Sequence, residues 1–102
     1  MTRVRLFVYG SLRRGEVHHA LLRGAEPLGA IETAPHYRLV ESAGYLALVP
    51  GGEPIPGELY AVAPQEMPGL DAFEGSGYRR APVRLADGSA AEAYFLAEEG
   101  LS

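Results

Sequence analysis

The feature that most constrains this chain is an apolar run near its N-terminus that ends abruptly at a glycine. Leu6 to Tyr9 are apolar or aromatic without interruption, which is typical of a strand with both faces buried. Gly10 ends the run, because a residue without a Cβ allows a sharp turn and the close approach of a ligand. Ser11 adds a hydroxyl that can donate and accept hydrogen bonds. The stretch predicts a buried strand leading into a loop whose N–H groups can hold an anion or a carbonyl oxygen.

The rest of the chain reads as short strands separated by glycine and proline turns. A first helix is predicted over Glu16–Arg23, with Val17, Ala20 and Leu21 at helical spacing. A second ends at Glu74, with proline near its start and glycine just past its end. The predicted strands cover residues 4–9, 28–33, 36–41, 45–49, 55–62, 78–85 and 91–96, with a bend or bulge at 56–57. Strands outnumber helices too heavily for a doubly wound domain, so the fold class is α+β with one strongly curved sheet.

Length and composition restrict the possible functions. A chain of 102 residues forms one domain, residues 1–102, with a single core. The net charge of −4 argues against nucleic acid as a partner. No apolar run is long enough to cross a membrane and no signal peptide is visible, so a cytoplasmic location is expected. The absence of cysteine and lysine excludes thiolate nucleophiles, cysteine-ligated zinc and Schiff-base chemistry.

Glu74 is the first candidate for chemistry, at the end of the second helix. Leu70 and Phe73 are expected to face the core, and Glu74 lies beside that apolar stripe. Partial desolvation there raises the pKa of a carboxyl group towards neutrality and suits it to general base catalysis. The alternative is a solvated glutamate at a helix end. For Asp71, one turn earlier, a capping or hydrogen-bonding role is the better interpretation.

Several polar and aromatic residues follow or flank this helix. Tyr78 either points into a pocket and donates a hydrogen bond or is a half-buried strand tyrosine. Arg79 and Arg80 face opposite ways on a strand, so at most one serves a pocket, and a surface salt bridge is the expected role of either. Tyr45 and Tyr60 are expected to pack in the core rather than line a pocket mouth.

The histidines suggest neither a metal site nor a hydrolytic triad. His18 and His19 are adjacent, so they cannot share one face of a helix as zinc ligands do, and they are expected to be exposed. A triad of Ser11, a histidine and Asp71 can be assembled on paper, but nothing resembles a nucleophile elbow.

Two motifs carry a family resemblance. The loop Tyr9-Gly10-Ser11-Leu12 and the segment from Leu70 to Arg80 (Leu-Asp-Ala-Phe-Glu-Gly-Ser-Gly-Tyr-Arg-Arg), in this order, resemble the two hallmarks of the gamma-glutamylcyclotransferase-like family. The resemblance implies a small, mostly antiparallel, curved β-barrel with the two helices packed outside and a pocket at its mouth. It also implies that Glu74 is the catalytic residue and that the loop, with Tyr78, binds substrate.

The implied reaction needs no metal or organic cofactor. A gamma-glutamyl amine or amino acid would cyclise to 5-oxoproline and release the free amine, with Glu74 as general acid and base. Tyr45-Leu46-Ala47 stands where many members have Gly-Tyr-Pro, so the pocket rim is expected to differ. Two alternatives stay open: a module that binds a small acid or amide without turnover, and a protein-interaction domain. The sequence names neither the leaving amine nor the oligomeric state.

Overall fold

A computed structural model of the protein describes residues 2–10, 12, 15, 19–22, 24–42 and 44–97. Within these residues the chain forms one sheet of seven strands and one α-helix. The strands are β1 Val4–Val8, β2 Glu26–Glu32, β3 Tyr37–Ser42, β4 Tyr45–Pro50, β5 Pro56–Val62, β6 Tyr78–Arg84 and β7 Ala90–Leu96, and the helix is α1 Met67–Glu74. The α+β class and the approximate position of every strand are as predicted. No helix in this part of the chain is long and apolar enough to cross a bilayer.

Strand β7 is the branch point of the sheet. Six strands follow the order β2-β5-β1-β7-β4-β3, and β6 pairs with β7 beside that path. Because β6 runs antiparallel along the whole of one edge of β7, β1 and β4 must share the other edge. Both are parallel to β7, with Leu6 opposite Glu92 and Leu48 opposite Phe95. The sheet therefore divides between these two contacts, and β1 and β4 diverge from there.

The sheet is not closed, so the barrel implied by the family resemblance is not formed. Closing a barrel requires hydrogen-bonded pairing between the two edges of the sheet. Just past the ends of β2 and β6 a single bridge joins Thr33 to Leu85, and β3 has a strand partner only in β4 among the described residues. The expected curvature and the mostly antiparallel pairing are present.

The prediction of a first helix over Glu16–Arg23 is wrong in the type of helix and in the side chains that it buries. In the described part of 16–23 the chain forms a short 3-10 helix over His19–Leu22, while residues 16–18 and 23 lie outside the described residues. Leu22 is buried there, whereas Ala20 and Leu21 are exposed. A segment this short has little helical stability of its own. Tertiary contacts therefore decide both which hydrogen bonds it forms and which side chain it buries.

The second helix agrees with the sequence prediction. It ends at Glu74, and Gly75 follows with a positive φ of 78°, a conformation that favours glycine. The Gly75 N–H donates a hydrogen bond of 3.0 Å to the Asp71 carbonyl and so ends the last turn. The helix packs on the sheet through Met67 and Leu70, which are both buried.

The core has two parts, one on each face of β1. Leu6 and Val8 belong to the part shared with α1, and Phe7 belongs to the part on the opposite face. This confirms the expectation of a strand buried on both faces. The predicted irregularity at 56–57 is misplaced, because the register shift lies in β2, between Pro27 and Gly29. At Gly57 the backbone of β5 instead passes close to β1, since a Cβ at this position would lie 2.4 Å from the Val8 carbonyl oxygen.

Candidate active site

Three tyrosines lie near the carboxyl group at the end of α1. The charge of Glu74 contributes to raising the pKa of Tyr9 from β1, of Tyr78 from β6 and of Tyr94 from β7. These effects require the groups to lie near one another, although Tyr9 and Glu74 are far apart in the sequence. The fold thus brings together the end of the first strand and the end of the helix.

Glu74 is half-buried, as predicted. Burial raises its pKa from the ordinary value of 4.5 to about 7. The reason is local: Leu70, one turn earlier, is buried in the core, and so is Met67 two turns earlier. The prediction that Phe73 also faces the core is wrong, because Phe73 is 39% exposed. The desolvation of Glu74 thus comes from its own face of the helix and from the sheet beneath it.

Tyr9 is held where the sheet divides. Its hydroxyl donates a hydrogen bond to the Tyr94 carbonyl on β7 and accepts one of 3.1 Å from the Leu48 N–H on β4. Its ring stacks on Phe7, with centroids 6.3 Å apart. Burial raises the pKa of Tyr9 well above its usual range, so the hydroxyl stays protonated. The side chain therefore joins β1 to β7 and β4, and any contact of Tyr9 with a substrate falls to its backbone.

The loop after Tyr9 is anchored at Leu12. The Leu12 side chain is buried in the same apolar cluster as Leu70, and its carbonyl oxygen lies 2.9 Å from His19 Nδ1. Because a carbonyl only accepts, Nδ1 must carry the hydrogen. Gly10 does not have a left-handed φ, and no described atom lies within 4 Å of the position that a Cβ would occupy. Ser11 lies outside the described residues.

Tyr78 is half-buried and lies near the carboxyl group of Glu74. Its hydroxyl donates a hydrogen bond of 3.0 Å to the Leu46 carbonyl on β4. Burial raises the pKa of Tyr78, and the charges of Glu74 and Tyr45 raise it further. The hydroxyl therefore stays neutral, and its oxygen can still accept a hydrogen bond. Tyr45 itself is 59% exposed, so the expectation that it packs in the core is wrong, whereas Tyr60 is buried as expected.

Residues 6–101 match the family model described as "Gamma-glutamyl cyclotransferase, AIG2-like". The chain belongs to the gamma-glutamylcyclotransferase family. A relative from Vibrio cholerae that carries a provisional gamma-glutamylcyclotransferase name is 38% identical over 87 residues, which cover 83% of this chain and 76% of the relative. The gamma-glutamylaminecyclotransferase C of Danio rerio is 36% identical over 92 residues, which cover 78% of this chain and 60% of that protein. The chain is thus a gamma-glutamylcyclotransferase-like enzyme.

The fold agrees with this assignment. The crystal structure of a uropathogenic E. coli-specific protein superposes with a TM-score of 0.89 over 98% of this chain and 84% of that one. Its sequence is 24% identical, so this likeness concerns the fold alone.

A network of ion pairs beside Glu74 in this cyclotransferase was not foreseen from the sequence. Arg80 contacts both carboxylate oxygens of Asp71, from Nε and from Nη2, each at 3.1 Å. Its Nη1 lies 2.9 Å from Glu92, and the Tyr94 hydroxyl donates a 2.6 Å hydrogen bond to Asp71. Arg80 therefore forms a salt bridge, as expected, but its half-buried side chain links α1, β6 and β7. Asp71 does form hydrogen bonds, as expected. These occupy the carboxylate that a triad with Ser11 and a histidine would need.

The two adjacent arginines face opposite ways, as their strand position predicts. Arg80 points towards α1, whereas Arg79 lines a separate groove of about 290 Å³ with Tyr37 and Phe95, and Glu74 is not part of that groove. The alternation of side chains along β6 predicts that the two arginines face opposite ways. Which of them points towards α1 depends on which face of the strand the helix covers, and the sequence does not show that. The described residues contain no cluster of three or more His, Asp or Glu that could hold a metal ion.

His19 is another residue for which the sequence prediction is wrong. It is half-buried, its ring lies 5.7 Å from that of Tyr60, and it contacts the Leu12 carbonyl. It therefore supports the substrate loop predicted from the family resemblance. The sequence around a single histidine does not predict this supporting role, because the partners of His19 come from the loop and from β5.

We expect Tyr9→Phe to reduce the free energy of unfolding by roughly 1–3 kcal/mol, because buried backbone groups on β4 and β7 lose a partner. Thermal and denaturant unfolding measure the change. The control is Tyr45→Phe, which removes a hydroxyl from an exposed ring and should leave stability within about 0.5 kcal/mol of the parent. If both variants unfold like the parent, the Tyr9 hydroxyl does not hold the divided sheet together.

We also expect Glu74→Gln to change how stability depends on pH. The folded-state pKa of about 7 exceeds the ordinary value of 4.5, so the folded protein retains a proton that the unfolded chain releases. Stability therefore falls as pH rises through this window, and the glutamine variant escapes that loss. Taking about 1 kcal/mol after solvent screening, the variant should melt roughly 4 °C above the parent at pH 8 and at the same temperature near pH 4.

The matched control is Glu66→Gln, an exposed carboxylate at the start of the same helix. It should follow the parent at both pH values. A Glu74→Gln variant that melts at the parent temperature at pH 8 would contradict the burial of an ionisable carboxyl at this position.

Proposed function

We propose that this enzyme cyclises a gamma-glutamyl amine or gamma-glutamyl amino acid to 5-oxoproline and the free amine. The α-amine nitrogen forms a bond to the side-chain carbonyl carbon, and the bond from that carbon to the leaving nitrogen breaks. The α-nitrogen loses two protons: the first leaves the substrate ammonium for Glu74, which delivers it to the leaving nitrogen, and the second is lost as the lactam N–H forms and passes through the same carboxylate to the released amine, which departs as an ammonium ion. Atoms and charges balance without water or a co-reactant.

The observation that carries the proposal is the environment of Glu74. A pKa of about 7 allows one carboxyl group to accept a proton and later donate it at neutral pH, which an ordinary surface glutamate does poorly. Because the nucleophile is part of the substrate, the protein has to hold one reactive conformation and manage protons. A half-buried carboxyl near Tyr9 and Tyr78 is suited to that task.

The loop from Tyr9 to Leu12 is proposed to hold the glutamyl end. Two features support this role. The Tyr9 hydroxyl is bound to the backbone of β4 and β7, and the Leu12 carbonyl is engaged by His19, so both ends of the loop are fixed. N–H groups in such a loop can bind the substrate carboxylate or steady the developing oxyanion. Ser11, at the centre of the loop, is proposed as a further hydrogen-bonding partner on the basis of the family resemblance.

Tyr78 is proposed to contact the substrate beside Glu74. Its hydroxyl hydrogen is directed to the Leu46 carbonyl, which leaves the oxygen lone pairs as the acceptor for the substrate ammonium. The relative named gamma-glutamylaminecyclotransferase makes gamma-glutamyl amines the first substrate class to test. Screening a panel of gamma-glutamyl amines and amino acids for 5-oxoproline identifies the leaving group, and a compound that binds but is recovered unchanged would favour the binding-module alternative.

We expect Glu74→Gln to lower the rate of 5-oxoproline release by at least about 10²-fold, because the amide keeps the size of the side chain but cannot accept the proton. The parent should lose kcat/KM as pH falls below about 7, where the carboxyl group is protonated. Glu66→Gln is the control and should keep the parental rate. Undiminished turnover by Glu74→Gln would exclude Glu74 as the acid and base, provided that its thermal unfolding shows a folded protein.

We expect Gly10→Val to abolish substrate binding while leaving the fold intact. The described structure leaves space for a Cβ at Gly10 and its φ is not left-handed, so the prediction of a special backbone conformation is wrong. The prediction of a close ligand approach remains, and calorimetric titration with an unreactive gamma-glutamyl analogue tests it. Gly52→Val is the control, because it adds the same side chain at an exposed glycine with equal space. Parental affinity in Gly10→Val would mean that the loop only connects β1 to the next segment.

A further inference from the structure

Tyr94 contacts both halves of the site with different groups. Its hydroxyl donates a hydrogen bond of 2.6 Å to Asp71 Oδ1 on α1. Its backbone carbonyl accepts the hydrogen bond of the Tyr9 hydroxyl, at the start of the loop. Asp71 lies three residues before Glu74, about one turn of the helix. One residue of β7 therefore joins the helix that carries the proposed base to the loop that is proposed to hold the substrate.

Asp71 is itself fixed by a cation. Arg80 binds it with two nitrogens, each at 3.1 Å, and is held in turn by Glu92 at 2.9 Å. The Arg80 side chain is only 29% exposed. Charge-assisted bonds with this two-point geometry are stronger and more directional than neutral ones. The partners belong to α1, β6 and β7, so the network fixes the helix against two adjacent strands.

Asp71 lies in the last turn of α1, the turn that carries Glu74. The helix is eight residues long, and its buried side chains are Met67 and Leu70, both before the last turn. The ion pair of Asp71 with Arg80 and its hydrogen bond from Tyr94 therefore hold the helix beyond the part that is packed in the core. The orientation of Glu74 depends on these contacts.

We propose that Tyr94 is a positioning residue of this enzyme, which acts with Asp71 and Arg80 to set the place of Glu74 relative to the loop. The proposal rests on the proposed role of Glu74 as acid and base. Tyr94 does not react with the substrate: its hydroxyl holds the helix through Asp71, and its carbonyl holds the loop through Tyr9. A displacement of about 1 Å at a reacting group can cost roughly 10²-fold in rate, which is why such a residue affects turnover.

The burial of Glu74 gives the proposal a direct test. The titratable and charged groups that face this end of the helix are Tyr9 from β1, Tyr78 and Arg80 from β6, Tyr94 and Glu92 from β7, and Asp71 from α1 itself. The pKa of Glu74 is raised by burial, so it reports how far the carboxyl group is withdrawn from water. A helix end that Asp71 and Arg80 no longer hold should expose the carboxyl group and lower this pKa towards its ordinary value.

Tyr94→Phe separates the two contacts, because it removes the hydroxyl but keeps the backbone carbonyl that holds Tyr9. We expect kcat to fall roughly 10–100-fold, with KM for the gamma-glutamyl substrate within about twofold of the parent because the loop is undisturbed. Tyr37→Phe is the matched control, since it removes a tyrosine hydroxyl whose hydrogen-bond partner, the Arg84 N–H, does not belong to this network. It should keep the parental kcat. Parental kcat in Tyr94→Phe, with only a lower melting temperature, would overturn the proposal.

Asp71→Asn and Arg80→Gln supply a readout that does not depend on activity. The pKa of Glu74, followed by NMR of its labelled side-chain carboxyl carbon, should fall in both variants by about half a unit or more, because a carboxyl group that is less buried ionises more readily. Arg80→Lys keeps the charge but loses the two-point geometry, so it should also lower this pKa and lower kcat. An unchanged pKa of Glu74 in all three variants would overturn the proposal.

These results can be distinguished from a failure of the proposed function. If Glu74→Gln turns over normally, the acid and base role fails whatever the titrations give. If Glu74→Gln is inactive while Tyr94→Phe, Asp71→Asn and Arg80→Lys all turn over at the parental rate, the positioning role alone fails. If any one of these three does not fold, the other two decide, because they act on different elements of the same network.

Discussion

The hydrogen bonds of the Tyr9 hydroxyl hold the sheet together at the point where it divides. Strands β1 and β4 both pair with the same edge of β7 and then diverge, so backbone groups at the division cannot all find partners in a neighbouring strand. An unpaired buried N–H or C=O is costly. The tyrosine oxygen satisfies one of each, the Leu48 N–H and the Tyr94 carbonyl. The first strand is thereby fixed at its end, where the loop of the proposed site begins.

The same arrangement creates the unusual environment of Glu74. Because the sheet is fixed beneath α1, the helix can bury Met67 and Leu70 and bring its last residue against a partly apolar surface. A carboxyl group there is stable as the neutral acid and costly as the anion, which is why its pKa rises to about 7. The protein gives up some stability at neutral pH, and in return it has a group that can exchange protons there. Such a conflict between stability and local chemistry is expected at an active site.

Much of this could be predicted from the sequence because the signals are local. The buried first strand follows from an unbroken apolar run, and the end of α1 from a glycine just after Glu74. The half-burial of Glu74 follows from its spacing to Leu70. Predictions failed where an outcome depends on distant partners. Phe73 is predicted to face the core but is exposed, and His19 is predicted to be exposed but supports the loop. Both predictions fail because helical spacing does not show which neighbours the fold supplies.

The sequence by itself determined the strands, the helix before Gly75, the two motifs and hence the family, because backbone preference and apolar spacing act over a few residues. Only the tertiary structure decided that β7 carries three partners and that the sheet stays open, since strand pairing joins segments that local preferences do not relate. It also decided that Arg80 rather than Arg79 faces the helix and that Tyr94 joins Asp71 to Tyr9. These contacts depend on which face of a strand is covered, and that is settled only when all the elements pack together.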